Sequence, residues 1–172
     1  MVNRKTVGAM MVGGVGLVVS STLVSSAVRA PHAAGPTLSS QRAAPWAGHL
    51  ATMDAALHAG DVVTATRAWH DAYGAALGSR RWEGFADLAE AALRMGRASG
   101  SPTAGVPRAR DLYLCALFRA RDAGSLDGVL RVADAFEALG DRDVTRHAAK
   151  MAERLAGRDV SPELRQRLAA LH

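Results

Sequence analysis

The side chains that could carry acid–base or metal chemistry are scattered along this sequence. No two of the six histidines stand four residues apart. Two histidine–carboxylate pairs are candidates for chemistry: His58, four residues after Asp54, and His70, beside Asp71. The first lacks the third ligand that a zinc site needs, so we interpret it as a solvated pair, and nothing indicates a nucleophile that the second could activate. We expect no metal, no cofactor and no catalytic centre.

Cys115 is the single cysteine of the chain, so no disulfide can form within it. It lies in an apolar run that spans residues 112–118. A free cysteine packs like a small hydrophobic side chain, so we predict that Cys115 is buried and inert.

The segment 97–107 contains two glycines at the spacing of a phosphate-binding loop, Gly100 and Gly105. Such a loop follows an apolar strand and continues with lysine and then serine or threonine. Val106 and Pro107 stand in those places, and no apolar strand precedes them. We therefore exclude a nucleotide site and interpret the segment as an exposed loop or a break between two halves.

One charge pattern could serve a partner. A basic residue recurs every four positions along one predicted helix, at Arg142, Arg146, Lys150, Arg154 and Arg158. Residues at this spacing share one side of a helix, away from its apolar residues. A solvated face is the plainer interpretation. The alternative is a docking surface for acidic partner residues or lipid head groups, with Arg146, Lys150 and Arg154 as the candidate partner-binding residues.

The overall charge does not indicate nucleic-acid binding. The chain has a formal net charge of +5, but Arg4, Lys5 and Arg29 only flank the hydrophobic N-terminal segment. Residues 30–172 hold 18 basic and 16 acidic side chains, which is an ordinary balance for solubility. We expect no nucleic-acid partner.

Residues 1–30 have the features of a membrane signal. Arg4 and Lys5 precede an uncharged run over residues 6–28. A helix of that length reaches about 34 Å, enough for a hydrocarbon core of about 30 Å. We predict an uncleaved signal anchor. The alternative is a signal peptide cleaved after Ser25-Ser26-Ala27.

The same charge bias predicts an orientation. The basic residues before the apolar run place the N-terminus in the cytoplasm of a bacterial-type inner membrane and the following domain in the periplasm. Cleavage would release that domain into the periplasm. Small residues recur at helical spacing within the run and form a candidate membrane helix packing face: Ala9, Gly13, Gly16 and Ser20. Small residues are frequent throughout this segment, however. Residues 31–45 are rich in Ala, Pro, Ser and Gly, which predicts a flexible linker.

Residues 46–172 are predicted to form one all-α domain. Apolar residues recur at helical spacing in seven runs, and no stretch alternates as a strand would. The predicted helices span residues 46–59, 62–77, 80–95, 108–122, 126–139, 142–156 and 162–171. The glycines expected to end helices are Gly60, Gly78, Gly96, Gly124, Gly140 and Gly157, and the expected caps are Asp61, Ser79, Ser125, Asp141 and Ser161. The predicted core includes Met53, Val62, Trp69, Phe85, Leu88, Phe136, Met151 and Leu155, and the fourth helix is expected to be the most enclosed.

Two of the turns match when they are laid over each other with a shift of 64 residues. Gly60, Ala65, Trp69 and Ala72 then correspond to Gly124, Val129, Ala133 and Phe136, with the large residue at a neighbouring position. The pattern of a glycine turn, then a small, an aromatic and a small residue, resembles the tetratricopeptide family in a degenerate form. The middle unit departs from it, because a loop follows Gly96 where a second helix is expected.

The resemblance implies antiparallel helix pairs stacked as a short α-solenoid, an architecture typical of protein-binding scaffolds rather than enzymes. Together with the N-terminal segment, it leads to the hypothesis of a membrane-anchored extracytoplasmic adaptor in an envelope or membrane complex. The alternative is a soluble periplasmic accessory or binding protein released by signal cleavage. A fold does not fix a function, so the partner stays unidentified.

Overall fold

The computed structural model describes residues 44–157 and 161–171, and every regular element in this part of the chain is an α-helix. The helices are α1 (Ala47–His58), α2 (Val62–Ser79), α3 (Trp82–Ala98), α4 (Val106–Asp122), α5 (Leu126–Ala138), α6 (Arg142–Ala156) and α7 (Pro162–Ala170). The predicted all-α fold is confirmed for these residues. The predicted anchor, its packing face at Ala9, Gly13, Gly16 and Ser20, the linker up to residue 43, and Arg158 lie outside the described residues.

Four of the five predicted caps are confirmed. The side chains of Asp61, Ser125, Asp141 and Ser161 each accept a hydrogen bond from the backbone N–H three residues later, at 2.9, 3.1, 3.4 and 3.2 Å. This satisfies one of the N–H groups that a helix start leaves unpaired. The cap predicted at Ser79 is wrong. Its hydroxyl lies at the end of α2, where it donates to the carbonyl of Ala76 and accepts from the N–H of Arg81.

Several helices end at a residue in the left-handed backbone conformation, which glycine adopts more easily than other residues. Gly60 and Gly124 have φ of 75° and 65°, as predicted for residues that end a helix in the left-handed region. Gly78 and Gly96 were predicted to do the same, but both lie inside helices that continue to Ser79 and Ala98. The end of α2 is formed instead by Arg80, a non-glycine residue with φ of 57°.

The helices pack mainly in sequential pairs. The most extensive contacts join α1 to α2, α3 to α4, and α5 to α6, and smaller contacts join α1 to α3, α3 to α5, and α4 to α6. Among the described helices, the backbone of α7 packs only on α6, and its Arg167 side chain pairs with Asp134 of α5. The expectation that a loop replaces the partner of α3 is therefore wrong. Residues 99–105 only lengthen the connection, and α4 returns along α3.

Two junctions between successive pairs are built from the same residue types. Each combines a tryptophan, an alanine and a glycine: Trp46, Ala76 and Gly84 where α2 meets α3, and Trp82, Ala120 and Gly128 where α4 meets α5. A Cβ atom added to either glycine would lie 2.8 Å from the Cβ of the alanine. The missing side chain lets the tryptophan ring close over the helix backbone at both places.

The predicted core is largely confirmed, with Met53, Trp69, Leu88, Phe136 and Met151 all buried in one cluster. The exceptions lie on outer faces: Val62 is 51% exposed and Leu155 36%. The fourth helix is not enclosed on every side, because Cys115 is exposed and Phe118 is 44% exposed. The prediction of a buried Cys115 is wrong, since the buried side of α4 is filled by other residues: Ala109, Leu112, Tyr113, Ala116, Leu117 and Ala120.

Candidate functional site

A groove separates α2 from α4 on the outside of the helix pairs. Both helices pack on α3, but they do not pack on each other. Long side chains cross the gap at two points: the Arg108 guanidinium lies 5.0 Å from the centre of the Trp69 ring, and Arg119 donates a 3.0 Å hydrogen bond to the carbonyl of Arg80. The two crossing points are eleven residues apart on each helix, so α2 and α4 run parallel. At 1.5 Å per residue, the groove between them is about 16 Å long.

Apolar and aromatic side chains form the walls of this α2–α4 groove. On α2, Tyr73 is 37% exposed and Leu77 is 48% exposed. On α4, Cys115 stands seven residues after Arg108 and four before Arg119, which places all three on the same side of the helix. A cavity of about 310 Å³ opens at one end, lined by Trp69, His70, Tyr73, Arg108, Asp111 and Leu112.

The aromatic side chains of the groove hold one another in place. Tyr73 stacks on Trp69 with ring centres 5.7 Å apart and meets the buried ring of Phe85 edge-on at 6.5 Å. His70 meets Trp69 edge-on at 5.3 Å. The indole N–H of Trp69 donates to the carbonyl of Leu88 at 3.3 Å, which fixes the ring against α3. The surface is therefore ordered before any partner arrives, which reduces the entropy lost on binding.

Two arginines of the groove lie over aromatic rings and have no carboxylate partner among the described residues. Arg108 covers Trp69, and Arg119 lies 4.5 Å from the centre of the Phe85 ring. A guanidinium stacked in this way keeps N–H donors at its edge, in a planar fork that matches a carboxylate. Asp111 is the acidic side chain of the cavity lining. The groove therefore combines apolar walls with a positive balance.

Sequence reasoning missed this groove. Only the spacing of Arg108, Cys115 and Arg119 along one helix face could have signalled the α4 wall. The other wall depends on α2 lying parallel to α4 across α3, and no local pattern encodes that placement. Of the residues singled out in the sequence, Trp69 and His70 line the cavity and Cys115 lies on the α4 side, although Trp69 was assigned to the repeat pattern and Cys115 was predicted to be buried.

The predicted basic surface lies on a different helix. The side chains of Arg142, Arg146, Lys150 and Arg154 are all exposed along α6. Arg146 pairs with Asp143, whereas Lys150 and Arg154 have no ion pair within the described residues. The predicted positions on an exposed face are confirmed. The role of Arg146, Lys150 and Arg154 in partner binding stays a prediction.

A third cluster of charges links α3 to α5, and its one arginine is paired with two carboxylates. The Arg131 guanidinium donates to Asp87 and to Glu90, both at 2.7 Å, and Asp87 also accepts a 2.8 Å bond from the indole N–H of Trp46. Burial disfavours the charged form of Arg131, but these hydrogen bonds outweigh it and hold the pKa above its ordinary value. Close by, burial raises the pKa of Tyr113 to about 12, and Glu90 adds to the shift. The cluster has the features of a structural link rather than of a reactive site.

No further constellation for chemistry occurs in the part of the chain that the structure describes. Its His, Cys, Asp and Glu side chains form no group of three or more that could hold a metal ion. No helix within the same residues has the length and apolar character needed to cross a membrane. Comparison of the chain with family models, with curated proteins and with solved structures finds no match.

Proposed function

We propose that this chain is a helical adaptor that binds a protein partner through the α2–α4 groove. The observation that carries the proposal is an exposed tyrosine, Tyr73, held against buried aromatic rings beside two arginines that lack a carboxylate partner among the described residues, Arg108 and Arg119. Exposed aromatic and arginine side chains that are already in place dominate the energy of protein interfaces. Such a surface suits binding rather than catalysis.

A stacked-pair scaffold of tetratricopeptide-like type is part of the proposal. The helices pack in sequential pairs, and two successive junctions use the same tryptophan, alanine and glycine arrangement. Stacked pairs of this kind form a short α-solenoid in which each unit contacts its neighbours. These observations support a repeat in the way the helices pack, although the repeat in the sequence is degenerate.

We further propose that residues 1–30 anchor the adaptor in a bacterial-type inner membrane, with the helical domain on the periplasmic side. The support is the uncharged run after Arg4 and Lys5, which is long enough to span a bilayer. The alternative is a soluble periplasmic accessory or binding protein released by signal cleavage. The intact mass of the protein from the membrane fraction separates the two: a mature chain that begins near Val28 would rule out the anchor.

The groove is tested by placing a photo-reactive amino acid at Tyr73 or Leu77 in cells. A matched control carries the same group at Ala51, an exposed residue of α1 away from the groove. We expect a discrete cross-linked product from the groove positions and none from the control. Equal products from all three positions, or none from the groove, would contradict binding at this surface.

The basic surface of α6 is a second proposed docking surface, for acidic partner residues or lipid head groups. Its support is the exposure of Arg146, Lys150 and Arg154 on one side of α6. Reversing all three charges should weaken association with the partner or membrane while leaving the melting temperature unchanged, because none of them packs in the core. Unchanged association with unchanged folding would remove this surface from the proposal.

A further inference from the structure

We infer that the occupant of the α2–α4 groove is an amphipathic helix of a partner protein, with two carboxylates about three turns apart and large apolar side chains between them. This inference rests on the proposed adaptor function and adds the chemistry of the partner. It follows from three properties of the groove: its charges, its length and its apolar middle.

The charges at the two ends of the groove select carboxylates. Arg108 stands at one end and Arg119 at the other, each stacked on a ring and without an acidic partner among the described residues. Arg119 donates from Nη1 to the carbonyl of Arg80, and the remaining N–H groups of the two arginines can donate to a carboxylate. A basic occupant fits less well because the two arginines repel it, and a phosphate-rich one fits less well because Asp111 beside Arg108 disfavours several negative charges at that end. One carboxylate at each end gives each arginine an acidic partner.

The length of the groove selects a helix of about three turns. The eleven residues from Arg108 to Arg119 correspond to about 16 Å. A helix with carboxylates eleven residues apart presents both on the same side, because eleven residues make about three turns. The described residues contain no strand whose edge could pair with an extended peptide. A helix satisfies its own backbone hydrogen bonds and so needs none from the groove.

The middle of the groove selects large apolar side chains. Tyr73 and Leu77 line the α2 side and Cys115 the α4 side, with the ring of Phe85 beneath Tyr73. Asp111 lies next to Arg108 at one end, and residues 112–118 of α4 carry no charge before Arg119 is reached. Apolar residues of a partner helix at the spacing of one helix face would bury this area.

The test selects binders from a displayed library of random segments about 16 residues long, which is enough for four helical turns. The bait is the full chain in detergent, and the counter-selection bait is the double variant R108E/R119E. We expect the enriched segments to carry two acidic residues about eleven positions apart, with aromatic or aliphatic residues between. Their affinity for the double variant should fall about tenfold or more, since two charge-assisted contacts are replaced by repulsion.

A charge exchange and a thiol probe make the assignment specific. Replacing the two acidic residues of an enriched peptide by lysine should restore binding to R108E/R119E and abolish it for the natural chain.

Because Cys115 is the only cysteine, the rate at which iodoacetamide alkylates it reports occupancy of the groove. We expect the acidic peptide to slow alkylation. Circular dichroism melting verifies folding, and if the glutamate pair unfolds, R108Q/R119Q replaces it with the same expected loss of binding.

The possible outcomes separate this inference from the adaptor proposal. Enriched segments that protect Cys115 but carry no acidic residues would overturn the acidic helix and leave the adaptor standing. Segments that bind the natural chain and the double variant equally, or no enrichment at all, would overturn the inference. If cross-linking from Tyr73 also yields no product, the adaptor proposal falls with it. Concentration-dependent dimers that block alkylation would assign the groove to a second copy and overturn the partner helix.

Discussion

At the scale of single residues, two glycines set how closely the helix pairs approach. Gly84 and Gly128 lie against alanine and tryptophan, so that backbone and ring come together where any side chain would intrude. Their role is close approach rather than an unusual backbone angle, because neither has a positive φ. A glycine inside a helix costs about 0.5–1 kcal/mol relative to alanine, and packing offsets that cost here.

Replacing Gly84 by alanine should destabilise the fold. The new Cβ would lie 2.8 Å from the Ala76 Cβ and 3.2 Å from the Trp46 ring, so one helix must shift. We expect a loss of about 1–3 kcal/mol in the free energy of unfolding, which denaturant titration measures. The matched control is Gly74→Ala in α2, where no atom lies within 4 Å of the added Cβ. That variant should gain about 0.5–1 kcal/mol. A gain in both would show that the junction is loose.

Tyr113 gives the fold a sensitivity to high pH. Its pKa lies near 12 in the folded chain, against an ordinary value of 10.0. The unfolded chain therefore releases this proton first, and the stabilising effect of the neutral phenol is lost as pH rises from about 10 through about 12. We expect the free energy of unfolding to fall more steeply over that range in the natural chain than in Tyr113→Phe. Parallel curves for the two proteins would contradict the shift.

At the scale of elements, hydrogen bonds between side chains link α3 to α5. Arg131 of α5 bonds both Asp87 and Glu90 of α3. Arg131→Met keeps the alkyl stem but leaves both carboxylates without this partner, so we expect a loss of about 1–2 kcal/mol in unfolding free energy. Arg167→Met removes a single exposed pair with Asp134 and should cost less than about 1 kcal/mol. Equal losses would mean that the α3–α5 link is no stronger than a surface ion pair.

The elements also show how far the sequence predicts this structure. Helix positions and most caps depend on residues within one or two turns, so Asp61, Ser125, Asp141 and Ser161 could be recognised from local spacing. Which side of an all-round apolar helix is buried depends on its neighbours, and Cys115 was therefore placed wrongly. The groove requires both the α3–α4 pairing and the parallel course of α2 and α4. Both arrangements depend on contacts between residues far apart in the sequence, which a local pattern does not reveal.

At the scale of the whole described domain, each helix contacts only helices near it in sequence. No described contact joins α1 or α2 to α5, α6 or α7. The stacked arrangement that we propose therefore predicts stability that is local, as a sum of unit and neighbour terms. The end of the stack at α7 should open most easily, because its backbone packs on α6 alone among the described helices and one exposed ion pair joins it to α5.

Hydrogen exchange on two matched leucine variants tests this locality. Leu168 of α7 and Leu88 of α3 are both buried, and Leu→Ala at a buried site costs about 2–5 kcal/mol. Leu168→Ala should speed exchange in α6 and α7 and leave α1 and α2 unchanged, because nothing but intervening helices connects them. Leu88→Ala lies in the middle and should speed exchange in α1, α2, α4 and α5 as well as α3. If Leu168→Ala speeds exchange equally in all seven described helices, the domain unfolds as one cooperative unit and the stacked-pair model is wrong.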